Sequence, residues 1–308
     1  MTMRRKGGSH WPVWKPSGSE SIQKRSFLAF QFQFGKRCRV QKGSGMRNGR
    51  HLLLTMVLAL LSPVARAQVS GGGGPELVIG AAADLSSVLQ EISDQFESRA
   101  HVKVRLSFGA SGALAQQIEN GAPFDVFFSA DMDYPRRLIA ENQADPSSLY
   151  QYAVGKLVLW VPAESPLDVE HKGMSVLMDP AVKKIAAANP DHAPYGRAAV
   201  AALKHEDLYD RVKDRLVMGE NVSQAAQFVE SGNAQAGFVA LAHAVAPAMK
   251  GKGKYWTVPT RDYPQLAQGV VVLTRSQHKK EADDFLNYIK TKDARELLRK
   301  YGFSESQE

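Results

Sequence analysis

The spacing of apolar and polar residues changes period repeatedly along this chain. Leu77, Val78 and Ile79 form a short apolar run of the kind a buried strand gives. Leu85, Leu89, Ile92 and Phe96 then recur at helical spacing, with Glu91, Asp94, Gln95 and Glu97 on the opposite face, which predicts an amphipathic helix. Val102, Val104, Leu106 and Phe108 alternate with Lys103, Arg105 and Ser107, a strand with one wetter face. A helix is expected from about Gly112 to Asn120, where Gly121 suits a left-handed cap. A strand over 124–128 and a helix over 133–141 complete a first set. A second set has strands over 156–161, 185–188, 236–240, 255–258 and 269–273. Its helices follow Tyr195, lie around 207–216, and cover 222–230, 279–290 and 293–300. Alternation of strand and helix predicts an α/β fold with a mainly parallel sheet.

One apolar run breaks this pattern. Leu52 to Leu61 follow a short basic stretch that begins at Met46, stop at Ser62 and Pro63, and are followed by Ala65, Arg66 and Ala67. A spanning helix needs about 20 apolar residues. The run is too short, and the three parts together read as a signal peptide over 46–67, cleaved after Ala67. Residues 1–45 lie upstream of that signal and show no period that would build an element. They are expected to be a spurious or disordered extension, with Met46 the true start, or else the cytoplasmic tail of a signal anchor. Residues 68–75 read as a flexible lead-in. The product is expected to be exported to the periplasm.

Charge is misleading until it is divided along the chain. The formal charge of +8 comes from 39 Lys and Arg against 31 Asp and Glu, a balance that points to nucleic acid or membrane surfaces. Residues 1–67, however, carry 13 basic residues and a single acid, which leaves 26 basic and 30 acidic residues in 68–308. The body is mildly acidic, so no nucleic-acid partner is expected. Cys38, the only cysteine, also precedes the body, which excludes disulfides, thiolate metal sites and cysteine nucleophiles there.

Five junctions carry the functional signal. At each, a strand-like run ends in small residues and leads to a helix start: around Ala81 to Leu85, Phe108 to Gly112, Phe128 to Asp131, Asn189 to Gly196, and Gly219 to Ser223. Ligands of open α/β sheets sit beyond the carboxyl ends of strands, and helix N-termini there offer unpaired amides and partial positive charge to an anion. The windows 79–88, 107–116, 126–133, 189–196 and 219–226 hold no Lys or Arg. A phosphoryl-transfer enzyme would place a cation or metal clamp in such loops. A neutral cradle fits reversible capture of a compact dianion instead.

At these residues the sequence resembles the periplasmic molybdate-binding proteins of ABC importers, which are type II periplasmic binding proteins. The resemblance rests on Ala81 to Leu85, Phe108 to Gly112, Gln117 to Asp125, Phe128 to Asp131, Pro190 to Gly196 and Lys300 to Phe303. It implies two α/β lobes joined by a two-strand hinge with the ligand cleft between them, over 76–155 with 263–308 and over 156–262. It further implies molybdate or tungstate as the ligand, no cofactor, no metal beyond the molybdenum of the oxyanion, no catalysis, and a monomer that serves an ABC permease and its ATPase. Ligand contacts are implied at Asp84, Ser111, Ala130, Tyr195 and Val222, with Ser86 and Ala240 as further positions.

Two of these depart from the family pattern. Asp84 stands where a serine usually donates, and Ala240 where a tyrosine usually closes the site. An ionised Asp84 would repel a dianion, so it is expected to cap its helix by accepting from the amides of Ser86 or Ser87. A Ser86 or Ser87 hydroxyl would then donate in its place, and Tyr195 would replace the tyrosine. If Asp84 faces the cleft instead, a protonated oxyanion such as phosphate or a phosphonate becomes the alternative ligand, with sulfate also open. A serine hydrolase using Ser111 or Asp131 is the rival class, although Ser111 lacks Gly-x-Ser-x-Gly spacing. Asp131 and Asp133 read as helix caps, and His192 as a residue that fixes its loop.

Overall fold

The structure is a computed structural model and is described here for residues 74–305. The expectations for 1–45, for the signal over 46–67 with cleavage after Ala67, and for most of 68–75 fall outside the described residues.

Two five-stranded sheets organise the chain. The first contains β1 (Glu76–Ala82), β2 (Lys103–Gly109), β3 (Val126–Ser129), β4 (Tyr150–Gly155) and β10 (Leu266–Val272), in the order β2-β1-β3-β10-β4. The second contains β5 (Leu157–Pro162), β6 (Ile185–Ala188), β7 (Leu216–Gly219), β8 (Ala236–Ala240) and β9 (Gly253–Thr257), in the order β7-β6-β8-β5-β9. β1 runs parallel to β2 and β3, and β6 parallel to β7 and β8. β10 is antiparallel to β3 and β4, and β5 antiparallel to β8 and β9. Both sheets are therefore mixed rather than mainly parallel. The parallel strands come from β-helix-β crossovers, and the antiparallel ones are where the chain leaves or re-enters each half.

The local patterns explain the layers. The helix Ser86–Ala100 buries Leu89, Ile92 and Phe96 of the predicted stripe together with Val88, while Leu85, also buried, stands at its N-cap. Phe96 packs edge-on against Phe285 at 5.0 Å, and Phe285 against Phe128 at 6.0 Å, which ties the late helix Lys279–Ile289 to the same face of the first sheet. On the other face, Leu114, Ile118, Phe127, Leu138 and Val271 form a separate cluster. Asp125, from the motif Gly121 to Asp125, is a structural staple: its carboxylate accepts from the Val78 amide at 2.8 Å and the Ser276 hydroxyl at 2.7 Å. Gly121 takes φ +96°, the left-handed conformation expected of it.

The chain passes between the sheets twice. Only Lys156 separates β4 from β5, and the return runs from β9 through a short turn, Thr260–Asp262, into β10. Gly155 stands at the first crossing because a Cβ there would drive into the Tyr195 hydroxyl and the Gln268 amide.

Candidate functional site

The parallel strands of the two sheets aim their carboxyl ends at one another, and a helix starts beyond each. The turn Ala83–Leu85 follows β1, Ser111–Glu119 follows β2, Pro194–His205 comes after β6, and Val222–Glu230 after β7. Between these starts lies a small cavity. Asp84, Ser111, Ala130, Tyr195 and Val222 all line it, together with Ala83, Pro194 and Asn221. Residues 19 to 138 apart in sequence thus meet because each sits at a strand end. Ser86 and Ala240 are not in the lining: Ser86 opens the helix beyond it, and Ala240 is buried in register with Leu157.

The helix starts are mostly uncapped by side chains, as an anion site requires. Ala82, Ala110 and Ala193 occupy the N-cap positions of the first three and provide no capping oxygen. Asn221 does cap the fourth helix, accepting from the Ser223 and Gln224 amides at 3.0 and 3.1 Å, and so makes no bond to the amide of Val222. A helix N-terminus favours a negative charge by about 0.3–1 kcal/mol, and more when partly buried. No Lys or Arg is among the lining residues.

Two details of the expected contacts are corrected. The Ala130 amide donates to Ser111 Oγ at 2.9 Å, so it serves the serine rather than the cavity. That bond leaves the single Ser111 hydroxyl proton available as a donor. Asp84 caps no helix: Leu85 holds the N-cap position of Ser86–Ala100, without a side-chain bond. The Asp84 carboxylate instead accepts through Oδ2 from the side-chain amide of Gln268 on β10. A cap needs only a local partner, but here the long-range partner prevails because β10 lies beside β3 and brings Gln268 to the end of β1.

Gln268 is the hub of a buried network. Its Oε1 accepts from the Tyr152 hydroxyl at 2.6 Å, and its Nε2 also donates to Tyr195 Oη at 3.3 Å. Tyr152 and Tyr195 are both held well above the ordinary tyrosine range, mainly by burial. Asp84 Oδ1 has no hydrogen-bond partner, although the residue is 2 % exposed. Burial raises the Asp84 carboxyl from 3.8 to about 6, with the Gln268 amide opposing the shift. An ionised carboxylate roughly 4 Å from a dianion would oppose it by about 8 kcal/mol at an effective dielectric of about 20, twice the cost for two unit charges.

A cation does stand just outside. Arg197, one residue past the window 189–196, donates to Asp131 Oδ2 and, at 3.2 Å, to the Tyr134 hydroxyl. Burial raises the Asp131 carboxyl, and Arg197 acts against that. Asp131 also accepts from the Tyr134 amide at 3.1 Å, the capping role expected of it. His192 Nε2 bonds the Glu220 carbonyl at 3.0 Å and holds its loop, so Ser111 has no general base from that ring. A further contact joins the halves: the Gly112 amide donates to the His192 carbonyl at 2.8 Å. Sequence reading missed Gln268, Tyr152 and Arg197. Gln268 left one signal, a polar residue inside the apolar run of β10 that is fully buried.

Comparison with known proteins agrees with this fold. The family described as bacterial extracellular solute-binding protein matches residues 77–304. The molybdate-binding protein ModA of Azotobacter vinelandii is 39% identical over 228 residues, covering 74% of this chain and 89% of that protein. The molybdate-binding protein ModA of Rhodobacter capsulatus is 36% identical over 250 residues, covering 81% of this chain and 93% of that protein. The solved structure of the Azotobacter vinelandii periplasmic molybdate-binding protein superposes with a TM-score of 0.71 at 36% identity, covering 75% of this chain and 100% of that one.

Proposed function

The chain belongs to the family of bacterial extracellular solute-binding proteins, and we propose that it captures molybdate, and tungstate as its near-isostere, outside the cytoplasm. It would release the anion to an ABC permease driven by a cytoplasmic ATPase, acting as a monomer and without a cofactor. The observation that carries this reading is the cavity itself: four helix starts and the Ser111 hydroxyl converge on a space with no basic residue in its lining. The likeness to molybdate-binding proteins over nearly all of 77–304 supports the same ligand class.

Capture would proceed by closure of two lobes, 76–155 with 263–308 against 156–262, about the two crossings of the chain. The oxyanion would receive the Ser111 O–H, the amides of Ser111 and Val222, and the backbone around Tyr195. Charge-assisted hydrogen bonds of about 1.5–3 kcal/mol each could together reach sub-micromolar affinity, around −8 kcal/mol, after ordering costs. A second reading is favoured by one observation, the buried Asp84 with a free Oδ1. A carboxylate there suits an anion that carries its own proton, such as hydrogen phosphate or a phosphonate.

Isothermal titration at neutral pH with molybdate, tungstate, sulfate and phosphate separates these readings. Tight, one-to-one binding of molybdate and tungstate with sulfate and phosphate far weaker is expected. Preference for phosphate would install the second reading, and no heat with any of the four would remove the oxyanion function.

A further inference from the structure

We propose that the cleft takes up its dianion together with one proton, and that Asp84 holds that proton on Oδ1 and donates it to an anion oxygen. This rests on the reading of the cleft as a site for molybdate and concerns how that site tolerates a carboxylate.

The geometry assigns the two carboxyl oxygens different tasks. Oδ2 is held by Gln268 Nε2, a donor, and so is committed as an acceptor. Oδ1 is buried, has no partner, and belongs to a residue that lines the cavity. A proton placed on Oδ1 turns the one repulsive group in the lining into a donor, without moving any neighbour. The arrangement of Gln268 supports this division. Tyr152 donates to its Oε1 at 2.6 Å, which fixes the amide with Nε2 towards Asp84 and Tyr195.

The groups around Asp84 offer no compensating positive charge. From β4 comes Tyr152, from the helix Pro194–His205 comes Tyr195, and ahead of β10 stands Tyr263, all with hydroxyls pushed up by burial. Beyond β3 lies Asp131, another acid, which already takes the Arg197 guanidinium. Behind Ala83, His243 Nε2 pairs with Ser223 Oγ at 2.7 Å, and burial holds the ring down to about 4, so it is neutral at physiological pH. Burial raises Asp84 to about 6 even against the hydrogen bonds that oppose it, and an adjacent dianion raises it further because two like charges cannot share the site. The proton comes from solvent as the anion enters and returns to solvent on release.

The test is titration calorimetry of the purified protein with sodium molybdate, repeated at pH 7.5 in buffers of different ionisation enthalpy. Close to one proton taken up per anion is expected, with Kd rising about tenfold per pH unit between pH 7 and 9. Asp84→Asn, whose side chain is neutral at every pH, should bind with no proton uptake and a flat pH profile. At pH 8 it should bind at least as tightly as the native protein. Native binding with no proton uptake and a flat profile would overturn the proposal while leaving molybdate capture intact. Proton uptake that persists in Asp84→Asn would overturn it as well, by placing the proton elsewhere. No molybdate binding by the native protein at pH 6.5 or 8 would instead remove the capture reading and this proposal with it.

Discussion

The two halves of the molecule meet on either side of the cavity, and they do so by different chemistry. On one side Arg197 reaches from the second half to Asp131 and Tyr134 of the first, with 40% of the arginine side chain exposed. On the other, Gln268, Tyr152 and Tyr195 surround Asp84 with no cation and almost no exposure. Both places contain an aspartate that burial pushes upward. Only one has a counter-ion. The contrast teaches that the cleft excludes positive charge from its lining, not from its surroundings. Asp131 is neutralised by an arginine that thereby stays off the ligand, whereas Asp84 is left to be neutralised by a proton. A cleft built this way can hold an anion firmly when closed and still open, because no ion pair to the guest must be broken.

Removing the hub of the dry side is expected to have the largest effect. Gln268→Leu would leave Asp84 Oδ2 buried without its amide donor, at a cost of about 1–3 kcal/mol, and would leave the Tyr152 hydroxyl with only its longer bond to the Ser129 carbonyl at 3.3 Å. Chemical denaturation should show the loss, and Asp84 should hold its proton to higher pH.

The region behind Ala83 gives a pH test of nearly the same size. Ser223 Oγ donates to the Ala83 carbonyl at 3.0 Å and accepts from His243, whose Nδ1 is buried without a partner. Burial lowers the folded value of His243 from 6.5 to about 4, so between these values the unfolded chain binds the extra proton. Its contribution is therefore complete above pH 6.5 and is lost as pH falls toward 4, by on the order of 3 kcal/mol. Asp84 acts in the opposite sense, because its folded value is raised: its contribution is present below 3.8 and is lost as pH rises through about 6. The difference in unfolding free energy between His243→Gln and the native protein across pH 4–7 isolates the histidine, and a flat difference would contradict its buried neutral state.

Ser111→Ala should cost molybdate binding about 2 kcal/mol, roughly thirtyfold in Kd, by removing a donor to the anion. It also orphans the Ala130 amide, so a matching fall in stability is expected. Arg197→Met should be mildest. The pair is partly exposed and screened, so less than about 1 kcal/mol of affinity is expected to change, with the remaining effect shrinking as salt rises. A large loss of affinity from Arg197→Met, measured by titration calorimetry, would mean that the arginine grips the ligand.

Much of this was legible before the fold was known, because periodicity is a local property. The stripe Leu85, Leu89, Ile92 and Phe96 announced its helix, and the small-residue junctions announced the cavity lining. β4 and β7 were not read. β7 is four residues long and largely half-exposed, so its pattern merges with the short helical turns before it. The lining residues were legible because each sits at a strand end. Their partners were not: Gln268 meets Asp84 across 184 residues, and nothing near Asp84 shows that its cap partners will be displaced. The glycine at 155 has its reason only once Tyr195 and Gln268 are folded against it.

The central claim, capture of a dianion by neutral donors, is tested most directly by a crystal structure with molybdate, located by the anomalous scattering of molybdenum. The account predicts one molybdenum position between Ser111, Val222 and Tyr195, each oxygen facing an amide, a hydroxyl or the protonated Asp84 carboxyl, and Arg197 still on Asp131. A molybdenum position outside this cavity, or the Arg197 guanidinium on one of its oxygens, would contradict it.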